Sequence, residues 1–554
     1  MDMYLRRTSR TNRDGSRVEY IALAHNAWNP ETRRSEPEVL YNFGRTEELD
    51  RAGLLRLCAS LAKVCGVEFD PGKDQEPVEP ESIKLLSSKD LGVPYVVAAL
   101  WERLDIGPAF RAAADASHCS APYDKALLAM VTNRLHSPES KLGVWSRWLD
   151  TVYLPQCQGL ALGQMYEAMD LLHEHAAAVE ERLFFHVANL LNLDVDVVFF
   201  DTTTASFAID QADDDDGLRR FGHSKEGTWT AQVVVALAVT REGIPVRSWV
   251  FPGNAADVAM IEKVRKDLRG WKLGRALLVA DAGTDSKDNR KELMKGAGRY
   301  LLAVRAGSVK EVQEEVLSRA GRYKKVSEGL EVKEVQVGEG ELRRRYFVCW
   351  NESEARRQAE HRKTVLEELH DELKSHPDLR ATQKWAMELA TSGRYGRYVE
   401  TVGGKVAVDK ASIAKAERLD GKWVLVTNDD TLSPEDAATG YRALLVIERA
   451  FRSLKSTQIE MTPMYHWAPR RIEAHVRICV IALLVQRVAE LAAGLPWARI
   501  AHQLGRLHAT EWEGSEHQFI QRTELDAEVT ELLRKLEIPA PKRVLGVAKK
   551  ADSA

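Results

Sequence analysis

The chain has 554 residues, several times the size of a typical domain, so its length predicts two or three folded units. Charged residues make up 29% of the chain and the formal net charge is -4, a balance that excludes a uniformly basic surface for nucleic acid. Any binding to DNA must therefore use local basic patches.

Cysteine spacing and apolar runs indicate the class of protein. Six cysteines are spread along the chain without a C-x-x-C pair or zinc-spaced histidines, so we expect reduced, mostly buried thiols. The first residues lack the apolar segment of a secretory signal peptide, and the apolar run at 478–485 is far shorter than a membrane span. We therefore expect a cytoplasmic protein that makes no contact with a membrane.

The N-terminal third divides by composition. Residues 1–80 combine short β-like segments with a stretch rich in proline and acidic residues at 70–82, which predicts a small β module followed by a linker. Five arginines near the start are expected either to form a frayed tail or to reach a DNA groove within a dimer: Arg6, Arg7, Arg10, Arg13 and Arg17. Residues 81–190 place apolar side chains every three or four positions, which predicts a helical region.

Strand and helix patterns alternate over 191–307. Three strands with short turns, followed by alternating helices and strands, predict an α/β domain whose mixed sheet has helices on its faces. Residues 308–425 interrupt this pattern with amphipathic strands and a charged helix, which predicts an insertion. The pattern resumes over 426–500, where Ser433 as N-cap is expected to begin one long helix, and 501–554 is expected to be a helical tail.

Two apolar strands end in an aspartate followed by turn-type residues. These are "VVFFDTTT" at Asp201 and "LLVADAG" at Asp281. Strand ends of this kind open onto the crevice in which α/β sheets bind ligands. Taken singly, each aspartate is more often a turn or helix-cap residue than a catalytic one. The matched context of the pair favours a common site.

A third carboxylate, Glu448, lies on the predicted long helix. At 100° per residue, four polar side chains fall within about 60° of one another: Tyr441, Glu448, Arg452 and Lys455. The alternative is an ordinary surface helix on which Glu448 pairs with Arg452 or Lys455.

Three carboxylates from two strand ends and one helix suit a two-metal site for phosphoryl transfer. Mg²⁺ or Mn²⁺ prefers anionic oxygen ligands, and two such ions about 4 Å apart would activate the attacking oxygen and stabilise the leaving one. Without ions, mutual repulsion should raise the pKa of at least one carboxyl group, so metal affinity should fall in acid.

Several linked motifs carry a resemblance to a known family. The runs "FFDTTTASF", "FGHSKEGTWTAQVVVALAVTREGIPVRSWVFPGNAADV", "LLVADAG", "YRALLVIERAFRSLK" and "RRIEAHVRICVIALL" occur in this order over about 190–500. Together they closely resemble bacterial insertion-sequence transposases of the DDE superfamily. The resemblance implies a ribonuclease H-like catalytic core interrupted by a β-rich insertion, and a Tyr, Arg, Glu, Lys signature on the last catalytic helix.

The resemblance also implies an activity. Such a protein cuts the ends of its insertion sequence and joins their 3′-hydroxyls to target DNA by two-metal phosphoryl transfer with Mg²⁺ or Mn²⁺. Asp201, Asp281 and Glu448 would be the catalytic, metal-binding residues, and Tyr441 and Lys455 would contact phosphates at the cleaved end. The implied setting is the nucleoid-associated cytoplasm of a bacterium.

The implied partner is double-stranded DNA, both the element's terminal inverted repeats and the target, bound by a homodimer. Recognition of the ends is expected in the helical region 81–190. A basic surface is expected to contact phosphates through Arg442, Arg449, Arg452, Lys455, Arg470 and Arg471. Trp467 is expected either to stack on an unpaired base or to pack in the core.

Three positions depart from the family pattern. Leu444 stands where the signature has arginine, Ala282 follows the second aspartate where an arginine is usual, and His223 replaces a tyrosine before "SK". These departures keep two alternatives open: a catalytically silent DNA-binding protein and a metal-dependent nuclease without strand transfer. The acidic run at 213–216 lacks calcium-loop spacing and is expected to be solvated, and His475 is expected to be structural.

Overall fold

A computed structural model describes residues 3–11, 17–30, 34–67, 83–119, 121–214, 217–339, 343–375, 384–402, 405–514 and 517–549. The chain divides into two compact units, Met1–Lys84 and Leu85–Ala554. The predicted linker at 70–82, Arg13, and two aspartates of the acidic run, Asp215 and Asp216, lie outside the described residues.

The first unit contains an antiparallel sheet and one helix. Its elements are β1 (Met3–Thr11), β2 (Arg17–Asn29), β3 (Arg34–Arg45) and α1 (Arg51–Cys65), with the strands in the order β1-β2-β3. Helix α1 begins where the Asp50 side chain accepts a hydrogen bond from the Gly53 amide, and it ends at Gly66 in the left-handed conformation. Arg6, Arg7 and Arg10 lie on β1, paired with β2, so the expectation of a frayed tail is wrong for them.

The second unit begins with a strand and a group of helices. These are β4 (Lys84–Asp90), α2 (Gly92–Arg103), α3 (Ile106–Ala116), α4 (Tyr123–His136), α5 (Lys141–Gly143), α6 (Leu149–Thr151), α7 (Leu162–Glu174) and α8 (Ala176–Leu190). Helix α4 is buried along almost its whole length, so the other helices pack around it. The prediction of helices in this region is confirmed.

A ten-stranded mixed sheet forms the centre of this unit. Its strands run in the order β11-β12-β13-β16-β10-β9-β5-β7-β6, with β8 also paired to β7. The first part comprises β5 (Val197–Ser206), β6 (Arg220–His223), β7 (Trp229–Val239), β8 (Pro245–Pro252), α9 (Asp257–Gly270), β9 (Leu277–Ala280), α10 (Lys287–Met294) and β10 (Arg299–Val304). Strands β5, β9 and β10 are parallel neighbours and the other pairs are antiparallel, which confirms the predicted mixed sheet.

Both faces of the sheet are covered. Along β5, Phe199 belongs to the core shared with the helical region, whereas Phe200 belongs to the core on the opposite face, with Ile261 and Val264 of α9. Successive side chains of a strand point to opposite faces, so a run of apolar residues is what a strand buried on both sides requires.

The predicted insertion at 308–425 divides into two parts. It comprises β11 (Lys324–Ser327), β12 (Leu330–Val337), β13 (Arg344–Asn351), α11 (Glu352–Ser375), α12 (Lys384–Thr391), β14 (Val399–Val402), β15 (Lys405–Val408) and α13 (Lys410–Leu419), and β16 (Lys422–Thr427) follows. Strand β13 pairs with β16, so β11–β13 extend the central sheet. The remainder packs around its own small core, which includes Leu369 and Tyr398.

The predicted long helix is broken. The structure has α14 (Pro434–Arg442), α15 (Leu445–Arg452) and a π-helical turn at Ser453–Thr457. At the break, the Leu444 amide donates to the Tyr441 carbonyl and the Ile447 amide to the Leu444 carbonyl, three residues back instead of four. Leu444 is buried at this point, so the tighter backbone places its apolar side chain in the core.

The remaining elements are α16 (Pro469–Ala493), α17 (Trp497–Leu504), β17 (His508–Glu513), β18 (His517–Arg522), α18 (Ala527–Lys535) and β19 (Val544–Lys549). The expectation of a helical tail over 501–554 is therefore wrong, because β17, β18 and β19 form a four-stranded sheet with β4. In this sheet β17 pairs with β4, which lies more than 400 residues earlier in the chain. Local sequence periodicity cannot predict such a pairing.

Helix α16 is buried on nearly all sides. Among the described helices, none is by itself long and apolar enough to cross a membrane, and one bent pair, Pro469–Ala493 with Trp497–Leu504, passes by length and composition only.

Because α16 is a core helix, Ile478→Ala should lower the free energy of unfolding by about 2–5 kcal/mol, the usual cost of truncating a large buried aliphatic side chain. Ile478 is fully buried, whereas Leu491 on the same helix is 39% exposed. Urea unfolding followed by circular dichroism would measure the change. Leu491→Ala is the matched control, and equal effects of the two substitutions would contradict the buried position of this helix.

Candidate active site

Asp201 and Asp281 lie side by side on two neighbouring strands inside the central sheet. Asp281 follows the end of β9 as predicted, but β5 continues past Asp201 to Ser206, so the prediction that this strand ends at Asp201 is wrong. Strands β5 and β9 pair in parallel, and the register aligns Phe200 with Ala280, the residue before each aspartate. Both aspartates line one cavity of about 330 Å³, together with Arg305. The structure thus brings two of the three predicted carboxylates together, although they are eighty residues apart in the sequence.

The Asp201 side chain is only 20% exposed and accepts two hydrogen bonds at Oδ1. One comes from Lys225 Nζ at 3.1 Å and the other from the Thr202 amide at 2.7 Å. Burial raises the pKa of Asp201, and the Lys225 ammonium partly opposes this shift. Lys225 is therefore the counter-ion of Asp201 in this conformation.

Asp281 accepts a hydrogen bond from the Tyr441 hydroxyl, with 3.0 Å between the two oxygens. Burial raises the pKa of Tyr441 well above its ordinary value, and the negative charges of Asp281, Glu448 and Asp201 add to the shift. Tyr441 thus lies in the field of all three carboxylates. Its hydroxyl keeps its proton, so it remains a hydrogen-bond donor to Asp281.

Glu448 is exposed on α15, between the buried Ile447 and the exposed Arg449. Within the described residues its carboxylate has no hydrogen-bond or ion-pair partner. The alternative of a surface pair with Arg452 or Lys455 is therefore not what the structure contains. Glu448 is thus the one carboxylate of the trio for which the described residues provide no hydrogen-bond or ion-pair partner.

The turn Ser224–Thr228 between β6 and β7 contacts both sides of the site. Lys225 pairs with Asp201, and the next residue, Glu226, forms an ion pair with Lys455. Thr204 on β5 fixes the turn, since its hydroxyl accepts from the Lys225 amide at 3.1 Å and donates to Glu226 at 3.4 Å. Burial opposes ionisation of Glu226, but Lys455 holds its pKa below the ordinary value.

Lys225 and Glu226 were not among the residues predicted for the site. The available signal was a short turn with adjacent opposite charges, "SKEGT", between two strands of the sheet that carries Asp201. Charged turns are common on protein surfaces, so the sequence alone did not distinguish this one.

The donor set suits divalent metal ions only in part. Asp201 and Asp281 offer anionic oxygens, and within the described residues Oδ2 of each accepts no hydrogen bond. The same described residues contain no group of three His, Cys, Asp or Glu side chains positioned to hold a metal ion. The pair of aspartates therefore fits an ion in its chemistry, and Glu448 does not complete a group of three ligands with them among the described residues.

The arginines predicted to bind DNA have different surroundings. Arg470 and Arg471 both pair with Asp170 of α7, at 2.8 and 3.1 Å, and so connect α16 to the helical region. The Arg442 guanidinium lies 5.9 Å from the centre of the Trp423 ring. Arg449 lines a separate cavity, beside Arg487. Arg452 is exposed, close to Lys455 on the next turn of the chain.

Trp467 is 46% exposed and has the guanidinium of Arg219 stacked at 3.7 Å from its ring centre. One face of the indole is thus already covered by a cation. The neighbouring Tyr465 is 64% exposed, so this segment presents aromatic surface outside the core.

The departures from the family pattern have structural counterparts. Leu444 is 5% exposed, a position that an arginine could occupy only with a buried partner for its charge. Ala282 lines the cavity next to Asp281 and adds no charge to it. His223 packs edge-on against Trp229, with 4.8 Å between ring centres.

Comparison with known proteins gives one family match. A family model described as "Transposase DDE domain" matches residues 192–483, more than half of the chain. No curated protein matches the chain. A solved structure described as the cryo-EM structure of a piggyBac transposase synaptic complex with hairpin DNA is similar with a TM-score of 0.34 and 9% identity, over 70% of this chain and 71% of that chain. The family match spans Asp201, Asp281 and Glu448.

Because the Lys225 ammonium forms an ion pair with Asp201, it competes with a metal ion for this carboxylate. Lys225→Met should therefore increase the affinity of the DNA-free protein for Mn²⁺. Removing a competing ion pair worth about 1 kcal/mol corresponds to a roughly three- to tenfold tighter Kd. Titration followed by electron paramagnetic resonance of free Mn²⁺ would measure the change.

Lys291→Met is the matched control, because Lys291 is an exposed lysine that pairs with Asp288 on α10. It should leave Mn²⁺ binding unchanged. Weaker binding by Lys225→Met would show instead that Lys225 orients Asp201 for the metal ion.

Proposed function

Because the chain belongs to the DDE transposase family, we propose that it cuts the ends of an insertion sequence and joins their 3′-hydroxyls to target DNA. The observation that carries this proposal is the pairing of β5 with β9, which aligns Asp201 and Asp281 at one cavity. Phosphoryl transfer requires such a cluster of carboxylates at a site open to a large substrate.

We further propose that the core is ribonuclease H-like. Three antiparallel strands, β5, β7 and β8, precede the parallel strands β9 and β10, and helices α9 and α10 cover one face. Residues 191–307 and 426–500 would form this core, with 308–425 as the insertion and 81–190 as the region that binds the DNA ends.

Asp201, Asp281 and Glu448 would be the catalytic residues and would hold the metal ions. Two divalent ions, Mg²⁺ or Mn²⁺, would supply activation of the attacking oxygen and neutralisation of the leaving one when bound. Tyr441 would keep Asp281 oriented through its hydroxyl. Lys455 would bind a phosphate at the cut end in place of Glu226, since an ammonium pairs with either anion.

The DNA partners would be the terminal inverted repeats and the target, held by a homodimer in the nucleoid-associated cytoplasm of a bacterium. Phosphate contacts would come from basic side chains near Glu448 and at the start of α16: Arg442, Arg449, Arg452, Arg470 and Arg471. Trp467 would stack on an unpaired base with its free face. Exposed Arg449 and Arg452, which flank Glu448 on α15, support this assignment most directly.

One observation favours a second candidate, a catalytically silent DNA-binding protein. Lys225 already neutralises Asp201 in this conformation. A protein that only binds DNA could keep this conformation permanently. A nuclease without strand transfer is the remaining alternative, and it differs in its products alone.

The purified protein, incubated with Mg²⁺ and labelled duplex from the flanks of its gene, should cut at one discrete edge and join the cut end to a second DNA. Glu448→Gln should lose at least about 100-fold in both reactions, because it removes the charge of one of the proposed metal ligands. Denaturing gels with product sequencing would map both events.

Glu435→Gln, a first-turn substitution on the neighbouring α14, is the matched control and should retain activity. Binding without cleavage by the wild-type chain, in Mg²⁺ and in Mn²⁺, would favour the silent protein. Cleavage without joined product would favour the nuclease.

A further inference from the structure

A second polar cavity lies away from the active site, between the helical region and the segment that leads into α16. Its volume is about 570 Å³, and it shares no lining residue with the cavity that contains the two aspartates. Its walls include Arg134, Lys141, Tyr166, His466 and His475. None of these residues belongs to the site proposed for strand cleavage.

Lys141 is the central feature of this cavity. It is only 4% exposed, and its Nζ lies 3.3 Å from Nδ1 of His475. His475 Nε2 donates to the Met461 carbonyl at 3.1 Å, so Nδ1 is the acceptor for the ammonium. Within the described residues no carboxylate lies within the 4.0 Å of an ion pair from Lys141. An ammonium has three donors, and two of them remain for a ligand.

Arg134 adds a second buried positive charge, with 4% exposure. Its guanidinium donates to backbone carbonyls, among them Ile459 at 3.3 Å and Glu460 at 3.1 Å, and forms no ion pair within the described residues. The nearby Glu139 carboxylate is paired with Arg147 at 2.8 Å instead. The wall also carries Arg147 and the carboxylates Glu139 and Glu460, so cations outnumber anions by three to two. Within the described residues neither of the two buried cations, Arg134 and Lys141, forms an ion pair.

The histidines and tyrosines of the wall are neutral and able to hydrogen-bond. Burial lowers the pKa of His466 to about 3, so its ring is neutral near pH 7. His466 packs against Tyr166 and His475, with ring centres 6.4 and 5.3 Å apart. Burial and the Arg134 charge also lower the pKa of Lys141 to about 7, the expected cost of a buried cation without a counter-ion.

We propose that this cavity binds an anion, and that the anion is a backbone phosphate of the DNA that the protein cleaves. The inference rests on the proposed function, which supplies a polyanionic ligand. A phosphodiester offers several acceptor oxygens to Lys141 and supplies the ion-pair partner that this buried ammonium lacks among the described residues. Tyr465 lines the cavity and is exposed, so the cavity reaches the protein surface, where a DNA strand could pass.

The position of the cavity gives the phosphate a structural role. Lys141 follows α4 in the helical region, whereas His466 and His475 belong to the segment that follows Lys455. A phosphate bound between them would connect the region proposed to recognise the DNA ends with the chain segment that leaves the active site. Binding of the end would then fix the position of the signature lysine.

Lys141→Met tests this proposal in the full-length chain. Duplex from the flanks of the gene should bind about three- to tenfold more weakly at moderate salt, and the slope of log Kd against log salt should decrease by about 0.9, the value for one phosphate contact. Fluorescence anisotropy over a range of salt concentrations would measure both. The melting temperature should be unchanged or higher, because Met removes an uncompensated buried charge and keeps the volume.

Lys125→Met is the matched control, because Lys125 lies on α4 and pairs with Asp124 outside the cavity. It should leave the salt slope unchanged. An unaltered slope in Lys141→Met would overturn the proposal. A large fall in its melting temperature, or failure to fold, would also overturn it and would identify Lys141 as a structural residue.

Inorganic phosphate distinguishes the two sources of the anion. If phosphate stabilises the wild-type chain against heat more than chloride of equal ionic strength, and Lys141→Met abolishes this effect without changing the DNA slope, the site takes free phosphate and the DNA assignment is overturned.

The proposed function and the phosphate site can fail separately. Glu448→Gln should keep the full salt slope, because Glu448 does not line this cavity. A wild-type chain that binds its flanks no better than unrelated duplex would contradict the proposed function itself, whereas normal binding and cleavage by Lys141→Met would contradict the phosphate site alone.

Discussion

The register between β5 and β9 is the constraint on which the site depends. Because Phe200 pairs with Ala280 in parallel, Asp201 within β5 lies at the same level as Asp281, which follows the end of β9. Two carboxylates at one cavity repel each other, so this arrangement needs compensation in the absence of another ligand. Lys225 and Tyr441 provide it, the first with a full charge and the second with a hydrogen-bond dipole.

The local sequence pattern was sufficient to predict the central strands of the sheet. It was not sufficient to predict contacts between segments that are far apart in the sequence. The apolar runs that precede Asp201 and Asp281 could be recognised as strands because burial on both faces leaves a continuous apolar run, although β5 continues past Asp201 to Ser206. The strands at 508–549 are short, amphipathic and completed by β4, so no local signal identified them. Likewise, the ion pair between Arg470 and Asp170 could not be predicted, because the two residues lie 300 positions apart in the sequence.

The break before α15 shows how one residue alters a geometric prediction. A continuous helix would keep Tyr441, Glu448 and Lys455 on one stripe. In the structure, the buried Leu444 tightens the chain between the first two, and a π-helical turn at Ser453–Thr457 carries the third. Tyr441 consequently reaches Asp281, and Lys455 reaches Glu226 on the opposite side of the site.

The turn that carries Lys225 and Glu226 couples the two halves of the site through charge. Its adjacent residues pair with an aspartate of the sheet and with the lysine of the helix, so movement of the turn changes both at once. An incoming phosphate competes with Glu226 for Lys455, and a cation competes with Lys225 for Asp201. Each exchange removes one of the two ion pairs that hold the turn, so DNA and metal ions should favour each other's binding through the same four residues.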